Sequence, residues 1–449
     1  MNRILTSTAF LFMSVTSFAQ APAGYYATVD TTNPTTLRST LHAVIKDNVK
    51  IPYTASGTDT WDVLAQASED PTNTANILDV YANMSLSKQT GGNTLYDREH
   101  TWPNSYGFPN DGADNYPYTD CHMLFLCRQA YNSTRGNAPY RNCPGGCTEE
   151  TTSVNNGLGG GSGVYPGNSN WSNGSTTTGT WETWIGRRGD VARAILYADV
   201  RYEGGVHSGN GIAEPDLIVT DNQTLIANSA TGSNLSVAYM GMKTVLVQWA
   251  LQDPPDAWER HRNDVIYTFQ GNRNPFIDHP EWVSCLFLGV CPSGVDFCFG
   301  DGSGTACPCA NSSAYGASTG CLNSLGAGGR LTATGVASVG SDTLVLQGAN
   351  MPNSSALYFQ GTTSQTGGAG AVFGDGLRCA AGTVIRLGTK QNTAGASQYP
   401  SAGDVSVSVK GLNTPGSVRQ YQCWYRNAAA YCSASTFNLS NGYRVTWSS

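Results

Sequence analysis

Apolar positions recur at helical spacing in the first two thirds of the chain and alternate in the last third. Leu37, Leu41, Val44 and Ile45 fall on one face of a helix predicted over 36–46. Val191, Ala194, Ile195 and Ala198 do the same within 189–202, with Arg193 and Arg201 elsewhere on that helix. A further apolar-faced segment, 240–251, is stopped by Pro254-Pro255, and another helix is predicted from Trp258 to Phe269. After Cys291 the pattern changes. Leu331–Thr334, Asp342–Leu346, Ala356–Phe359 and Asp404–Val409 alternate with period two between turn residues, which predicts a β-sandwich. The fold class expected is α+β. A helix-rich domain over 20–292 would be followed by an all-β, sandwich-like domain over 296–449. The stretch 151–180 is rich in Gly, Ser, Asn and Thr and carries no charge, so it is expected to be a surface loop.

The N-terminus has the pattern of a signal peptide over 1–19. Arg3 supplies a positive charge, residues 4–18 are apolar and small, and Ser17-Phe18-Ala19 fits a cleavage site near Ala19. The mature protein is therefore expected to be secreted or periplasmic. Past that segment no apolar run reaches the ~18 residues that would predict a membrane span. In an exported chain, 13 cysteines read as disulfides. Cys143 with Cys147, Cys285 with Cys291, and Cys423 with Cys432 are the short-range candidates. Cys298, Cys307, Cys309 and Cys321 form a second cluster, and the odd total leaves at least one thiol unpaired within the chain. A structural zinc at Cys121, Cys127, Cys143 and Cys147 is the weaker reading, because none of their spacings is CxxC.

With 13% charged residues and a net charge of −7, the chain is neither a disordered polyelectrolyte nor a globally basic nucleic-acid binder. The charge is uneven. From Asp296 onward there are 8 basic and 5 acidic residues, against 17 and 27 before it. Any grip on phosphate by the first domain must therefore be local. Arg187, Arg188, Arg193 and Arg201 crowd one stretch, and Arg260, Arg262 and Arg273 another. Arg193 and Arg262 are expected to pair with Asp190 and Asp264 inside the fold.

Candidate chemistry concentrates in three segments. Tyr96-Asp97-Arg98-Glu99-His100-Thr101-Trp102-Pro103 places a carboxylate, an imidazole and a guanidinium side by side. Neighbouring strand residues face opposite sides, so Glu99 and His100 converge on one site only at a strand end or bulge. Asp120-Cys121-His122 is followed closely by Asn132-Ser133-Thr134-Arg135-Gly136-Asn137, where Asn132 is an oxygen donor suited to a hard cation and Gly136 suggests a helix end. The third segment, Gly271 to Pro280, is a polar turn ending the helix that begins near Trp258.

These three segments, together with Gly189-Asp190-Val191-Ala192-Arg193-Ala194, Leu251-Gln252-Asp253-Pro254 and Arg262-Asn263-Asp264, resemble the bacterial endonuclease I family. That family comprises secreted and periplasmic His-Me finger (ββα-metal) nucleases, and the similarity runs from about Tyr25 to Val283. The resemblance implies a metal-dependent endonuclease leaving 5′-phosphate ends. It implies His100 as general base and Glu99 and Asn132 as ligands of one Mg²⁺, with Mn²⁺ or Ca²⁺ as substitutes. A grip dominated by phosphate contacts is expected to be largely sequence-nonspecific. With no obvious 2′-hydroxyl reader in the sequence, the substrate is expected to be DNA, with RNA as a second candidate. Arg98, Arg135, Arg187, Arg188 and Arg273 are the candidates for substrate contact. His122, Asp120, Asn272 and Asn274 are read as structural. The chain departs from the family in carrying Met123 where Asn is common and Leu126 and Cys127 where Pro and Ser are. Residues 101–119 also lack any Lys or Arg, so which arginine reaches the scissile phosphate stays open among Arg98, Arg135 and Arg273. The C-terminal domain resembles a cysteine-containing β-domain of exported bacterial proteins, for which contact with an extracellular surface or glycan is one reading and a stability or export appendage the other. The alternative for the whole chain is a secreted binding or adhesion protein on a degenerate nuclease fold.

Overall fold

The computed structural model of the chain describes residues 21–22, 24–31, 33–112, 115–291, 293–428 and 431–448. The expected signal peptide and its cleavage point lie outside these residues. The fold is α+β, and the chain divides into two compact units between Gly289 and Val290. Among the described residues no helix is long and apolar enough to cross a membrane.

In the first unit, helix α1 (Pro34–Ile45) buries Leu37, Leu41 and Ile45 along the predicted face. Helix α2 (Thr60–Ala67) starts in a reciprocal cap between Asp59 and Asp62 and buries Trp61, Val63 and Leu64. Strands β1 (Tyr96–His100) and β2 (Leu124–Arg128) pair antiparallel, and helix α3 (Gln129–Arg135) follows β2 directly. Gly136 ends α3 with a φ of +52°, and its N–H bonds the carbonyl of Asn132. A Cβ there would sit 2.7 Å from the Ser175 carbonyl oxygen, so only glycine fits the stop. Helices α4 (Arg188–Arg201), α5 (Lys243–Gln252) and α6 (Ala257–Gln270) complete the frame. Helix α6 is capped by Asp256 and closed by Gly271 in the left-handed region. Trp61, Leu64, Tyr96, Leu124, Leu126 and Ile266 form the core that α2, β1, β2 and α6 share.

Three expectations for this unit change. Helix α5 starts later than residue 240, because Val237–Met240 is instead a strand lying parallel to Asp216–Val219. The stretch 151–180 is not wholly a loop. Asn170–Asn173 is the central strand between Thr148–Glu150 and Thr180–Glu182, with Asn170, Trp171 and Ser172 buried. Helix α4 has no exposed face, since every residue from Gly189 to Arg201 is buried, so Arg193 and Arg201 do not join the expected surface patch. Its arginines enter the interior because carboxylates meet them there.

The second unit is a two-sheet sandwich. A three-stranded sheet (Arg330–Thr334, Val345–Ala349, Ser397–Tyr399) faces a larger sheet. The larger one includes β3 (Ser355–Gly361), β4 (Ile385–Gln391), β5 (Val418–Arg426), β6 (Phe437–Leu439) and Gly442–Thr446. Leu331, Leu346 and Tyr399 from one sheet pack with Tyr358, Tyr421, Tyr425 and Val445 from the other. The strand expected over 404–409 is instead a helical turn, Val407–Lys410. Only Val407 of its alternating valines is buried; Val405 and Val409 stay exposed, so no sheet face claims them.

Cys143–Cys147, Cys298–Cys379, Cys307–Cys321 and Cys309–Cys432 are disulfides, and Cys285 and Cys291 are also disulfide-bonded. The pairing of Cys423 with Cys432 is thereby corrected. Cys423 points into the sandwich core beside Met351, while Cys432 reaches Cys309 across 123 residues of sequence. Cys121, Cys127 and Cys423 are buried free thiols.

Candidate active site

Glu99 and His100 are the last two residues of β1, opposite Phe125 and Leu124 of β2. Glu99 is 1% exposed. Its Oε1 accepts the Tyr81 hydroxyl at 2.9 Å and Arg135 Nη1 at 3.1 Å. Behind it the Tyr81 and Tyr140 hydroxyls are 2.7 Å apart, and the Arg135 guanidinium lies 4.7 Å from the Tyr140 ring. No described residue donates to Glu99 Oε2. Burial pushes the Glu99 carboxyl up to about 7, against the opposing pull of Arg135 and the Tyr81 hydrogen bond. Arg135 also donates to the carbonyls of His100 (2.9 Å) and Thr101 (2.7 Å), which ties α3 to the end of β1. Asn132, one turn earlier on α3, lies on that same helix face. Its side chain is half-buried and makes no hydrogen bond to the described residues.

His100 is oriented by one contact. Its Nε2 lies 2.9 Å from the carbonyl oxygen of Tyr118, which can only accept, so Nε2 carries the proton and the Nδ1 lone pair is left free. The rings of Tyr118 and Tyr53 lie 4.7 and 5.9 Å away. Burial lowers the His100 pKa to about 4, and the cations of Arg98 and Arg135 add to the effect. The imidazole is therefore neutral near pH 7.

An antiparallel strand pair followed by a helix thus carries a buried carboxylate, a neutral imidazole and an uncommitted amide. The sequence matches the family Endonuclease I over residues 33–281, more than half the chain. The chain belongs to the endonuclease I family. It is 36% identical over 291 residues to the extracellular ribonuclease of Bacillus amyloliquefaciens, covering 63% of this chain and 86% of the relative. It is 38% identical over 272 residues to the extracellular ribonuclease of Bacillus subtilis (strain 168), covering 58% of this chain and 80% of that protein.

In this endonuclease I family member the arginines expected to form a phosphate-binding patch are mostly internal. Arg135, Arg187, Arg193, Arg201, Arg262 and Arg273 are all 2% exposed or less. Arg187 pairs with Asp256 at 2.8 Å and Arg193 with Glu259. Arg201 bonds Glu214 through two parallel contacts, and Arg188 lies 3.3 Å from Glu182. Arg193 reaches Asp190 as expected, at 3.7 Å. Arg262 does not pair with Asp264. It donates to the carbonyls of Cys121 and Leu124, and Asp264 is taken by Arg273, which also grips Asp278. Arg98 is partly buried. It stacks 3.3 Å over Tyr53 and 4.2 Å over Trp61, and donates to Thr60 and Thr54.

The residues read as structural lie inside. His122 Nε2 meets the Asn272 carbonyl at 3.1 Å. Asp120 accepts the hydroxyls of Tyr197 (2.8 Å) and Tyr202 (2.9 Å) and the amide of Gln270 (3.0 Å). Asn272 donates to Ile45 and Tyr197, while Asn274 caps the turn Pro275–Asp278. The departure at Met123 leaves its backbone role intact, since its carbonyl accepts both the N–H and the hydroxyl of Thr101. Sequence reasoning missed Tyr81, Tyr140, Tyr118 and Tyr53. Tyr81 and Tyr140 lie 18 and 41 positions from Glu99 with no spacing that marks them.

Proposed function

We propose that the chain is a secreted endonuclease that hydrolyses RNA and DNA phosphodiester bonds with little sequence preference. His100 acts as general base, and Glu99 and Asn132 hold one Mg²⁺. The observation that carries this reading is the pair at the end of β1. Glu99 is fixed through Oε1 by Tyr81 and Arg135, while His100 is held through Nε2 so that Nδ1 is free.

The donor set suits Mg²⁺. Glu99 Oε2 and the Asn132 amide oxygen are hard donors without a partner among the described residues, and a buried carboxylate driven up to about 7 gains from a cation beside it. Two protein ligands leave room for water and a phosphate oxygen, as a reluctantly dehydrated ion requires. Mn²⁺ or Ca²⁺ fits the same oxygens. When bound, the cation would supply charge neutralisation at the phosphate. His100, neutral at pH 7, accepts the proton of the attacking water at Nδ1, and the Tyr118 carbonyl steadies the imidazolium that forms. Arg98, the least buried cation beside the pair, is the phosphate contact this arrangement favours over Arg135 and Arg273.

Secretion is supported by the signal-like N-terminus, the disulfides and the extracellular ribonucleases among the relatives. Those relatives also support RNA as a substrate. Incubating the purified chain with structured RNA and with plasmid DNA, in Mg²⁺ and in EDTA, tests the proposal. Cleavage in Mg²⁺ alone is expected; no cleavage of either polymer would favour a binding protein on a degenerate nuclease fold.

A further inference from the structure

The outer face of the larger C-terminal sheet carries an aromatic row. Trp424 of β5 and Phe437 of β6 have ring centroids 5.3 Å apart. Phe373, at the end of the strand Ala371–Phe373, lies 5.0 Å beyond Phe437. All three are on the side of the sheet away from the sandwich core. Tyr421, Cys423 and Tyr425 point inward, while Trp424 and Phe437 pack with Phe359 and Leu439 on the other face. The row is partly open to solvent. Phe373 is 44% exposed, the neighbouring Val372 53%, and Trp424 and Phe437 are partly exposed.

Cations frame this row. Arg426, paired in register with Phe437, is exposed and lies 5.1 Å from the Trp424 ring. Arg386, paired in register with Phe359, is exposed as well. Arg426 donates to the Thr436 hydroxyl, and neither arginine is engaged by a carboxylate among the described residues. This contrasts with the buried, paired arginines of the first unit. The carboxylate of Asp375, two residues past Phe373, is buried and bonded by Asn427 and Ser433. The chain from Asp296 onward has a net charge of +3.

We propose that this face binds single-stranded nucleic acid, with bases stacking on Trp424, Phe437 and Phe373 and phosphates meeting Arg426 and Arg386. Rings with exposed π-faces stack any base, and flanking guanidiniums neutralise the backbone, so the grip is sequence-tolerant. A neutral glycan also stacks on aromatic rings but gains nothing from two cations that no carboxylate engages among the described residues, so the charge favours the polyanion. The inference rests on the nuclease reading for its biological sense: a strand held by this unit stays at high local concentration for cleavage by the same molecule.

The test is binding of a fluorescent phosphorothioate oligodeoxythymidylate of about 12 nucleotides to the full chain, read by anisotropy. Trp424→Ala and Phe437→Ala are each expected to weaken binding about tenfold, and Trp424→Phe to retain most of the affinity. Replacing Arg386 and Arg426 together with Ala should flatten the dependence of log affinity on log salt by about 1.4, at about 0.7 per phosphate contact on a single strand. Turnover of a dinucleotide by Trp424→Ala should equal wild type, and a melting transition of the second unit that matches wild type by calorimetry shows that the unit carrying the substitution is folded. Unchanged oligonucleotide affinity in Trp424→Ala would overturn the proposal. So would calorimetry in which a neutral β-linked oligosaccharide binds through Trp424 and the oligonucleotide does not, or sedimentation showing a dimer that Trp424→Ala dissolves. Binding that depends on Trp424 in a chain that cleaves no nucleic acid would remove the nuclease reading and leave this one standing.

Discussion

Arg135 and Glu99 form an ion pair of 3.1 Å in which both side chains are 2% exposed or less. The same guanidinium bonds the backbone of His100 and Thr101, so one buried cation sets the position of the carboxylate and of the strand end that carries the imidazole. Arg135→Ala leaves Glu99 buried without its partner, at a cost of about 3–5 kcal/mol. The first unit should then melt roughly 10 °C or more lower by calorimetry. Adding Glu99→Gln should recover part of that loss, because the neutral amide no longer needs a cation. A double variant no more stable than Arg135→Ala would show that the ion pair is not what Arg135 contributes.

His100→Ala removes the group assigned to accept the water proton. Turnover on plasmid DNA and on RNA should fall ~10²-fold or more, with the circular dichroism spectrum unchanged. A folded variant cleaving at near wild-type rate would remove His100 from the mechanism.

Glu99→Gln and Asn132→Ala should each raise the Mg²⁺ concentration needed for half-maximal cleavage while changing nucleic-acid affinity little. Equal activation midpoints for wild type and both variants would mean that the cation is held elsewhere or not used.

His122, like His100, makes the first unit sensitive to acid. Burial depresses its pKa to about 4 from 6.5, and its Nε2 is tied to Asn272. The unfolded chain therefore binds more protons than the folded one between pH 6.5 and 4, so stability falls as pH drops through that window, by about 3 kcal/mol for this group. His122→Gln keeps an N–H donor and loses the titration. Its stability from denaturant melts at pH 7 and pH 4 should differ by less than in wild type. An identical acid slope would place the sensitivity elsewhere.

A chain ending after Ser293 retains Cys285 and Cys291 and removes the other three disulfides of the second unit whole. The first unit has ample length and a core of its own. It should fold alone and cleave short substrates within a few-fold of the full-chain rate. Absence of activity in a folded truncation would show that the second unit completes the catalytic site.

Local pattern was enough for much of this protein. Helical spacing marked α1, α4 and α6 to within two residues at each end. Alternation marked the sandwich, and the change in texture after Cys291 falls within a few residues of the division at Gly289. The run Arg98-Glu99-His100 and the placement of Asn132 three residues before Arg135 were legible for the same reason: both lie within one continuous element and its immediate turn. Burial was decided by tertiary structure. Periodicity records which side chains are apolar, and a run of arginines looks the same whether it faces water or a buried carboxylate. Glu214, Glu259, Asp256 and Asp278 take up the arginines of the expected surface patch in ion pairs that bury the guanidiniums, and all but Asp278 come from parts of the chain that no local motif links to their arginines. The tyrosines that hold the site also belong to the tertiary structure. Tyr81 reaches Glu99 and Tyr118 reaches His100 across intervening loops, and hydrogen bonds between distant segments have no period to read.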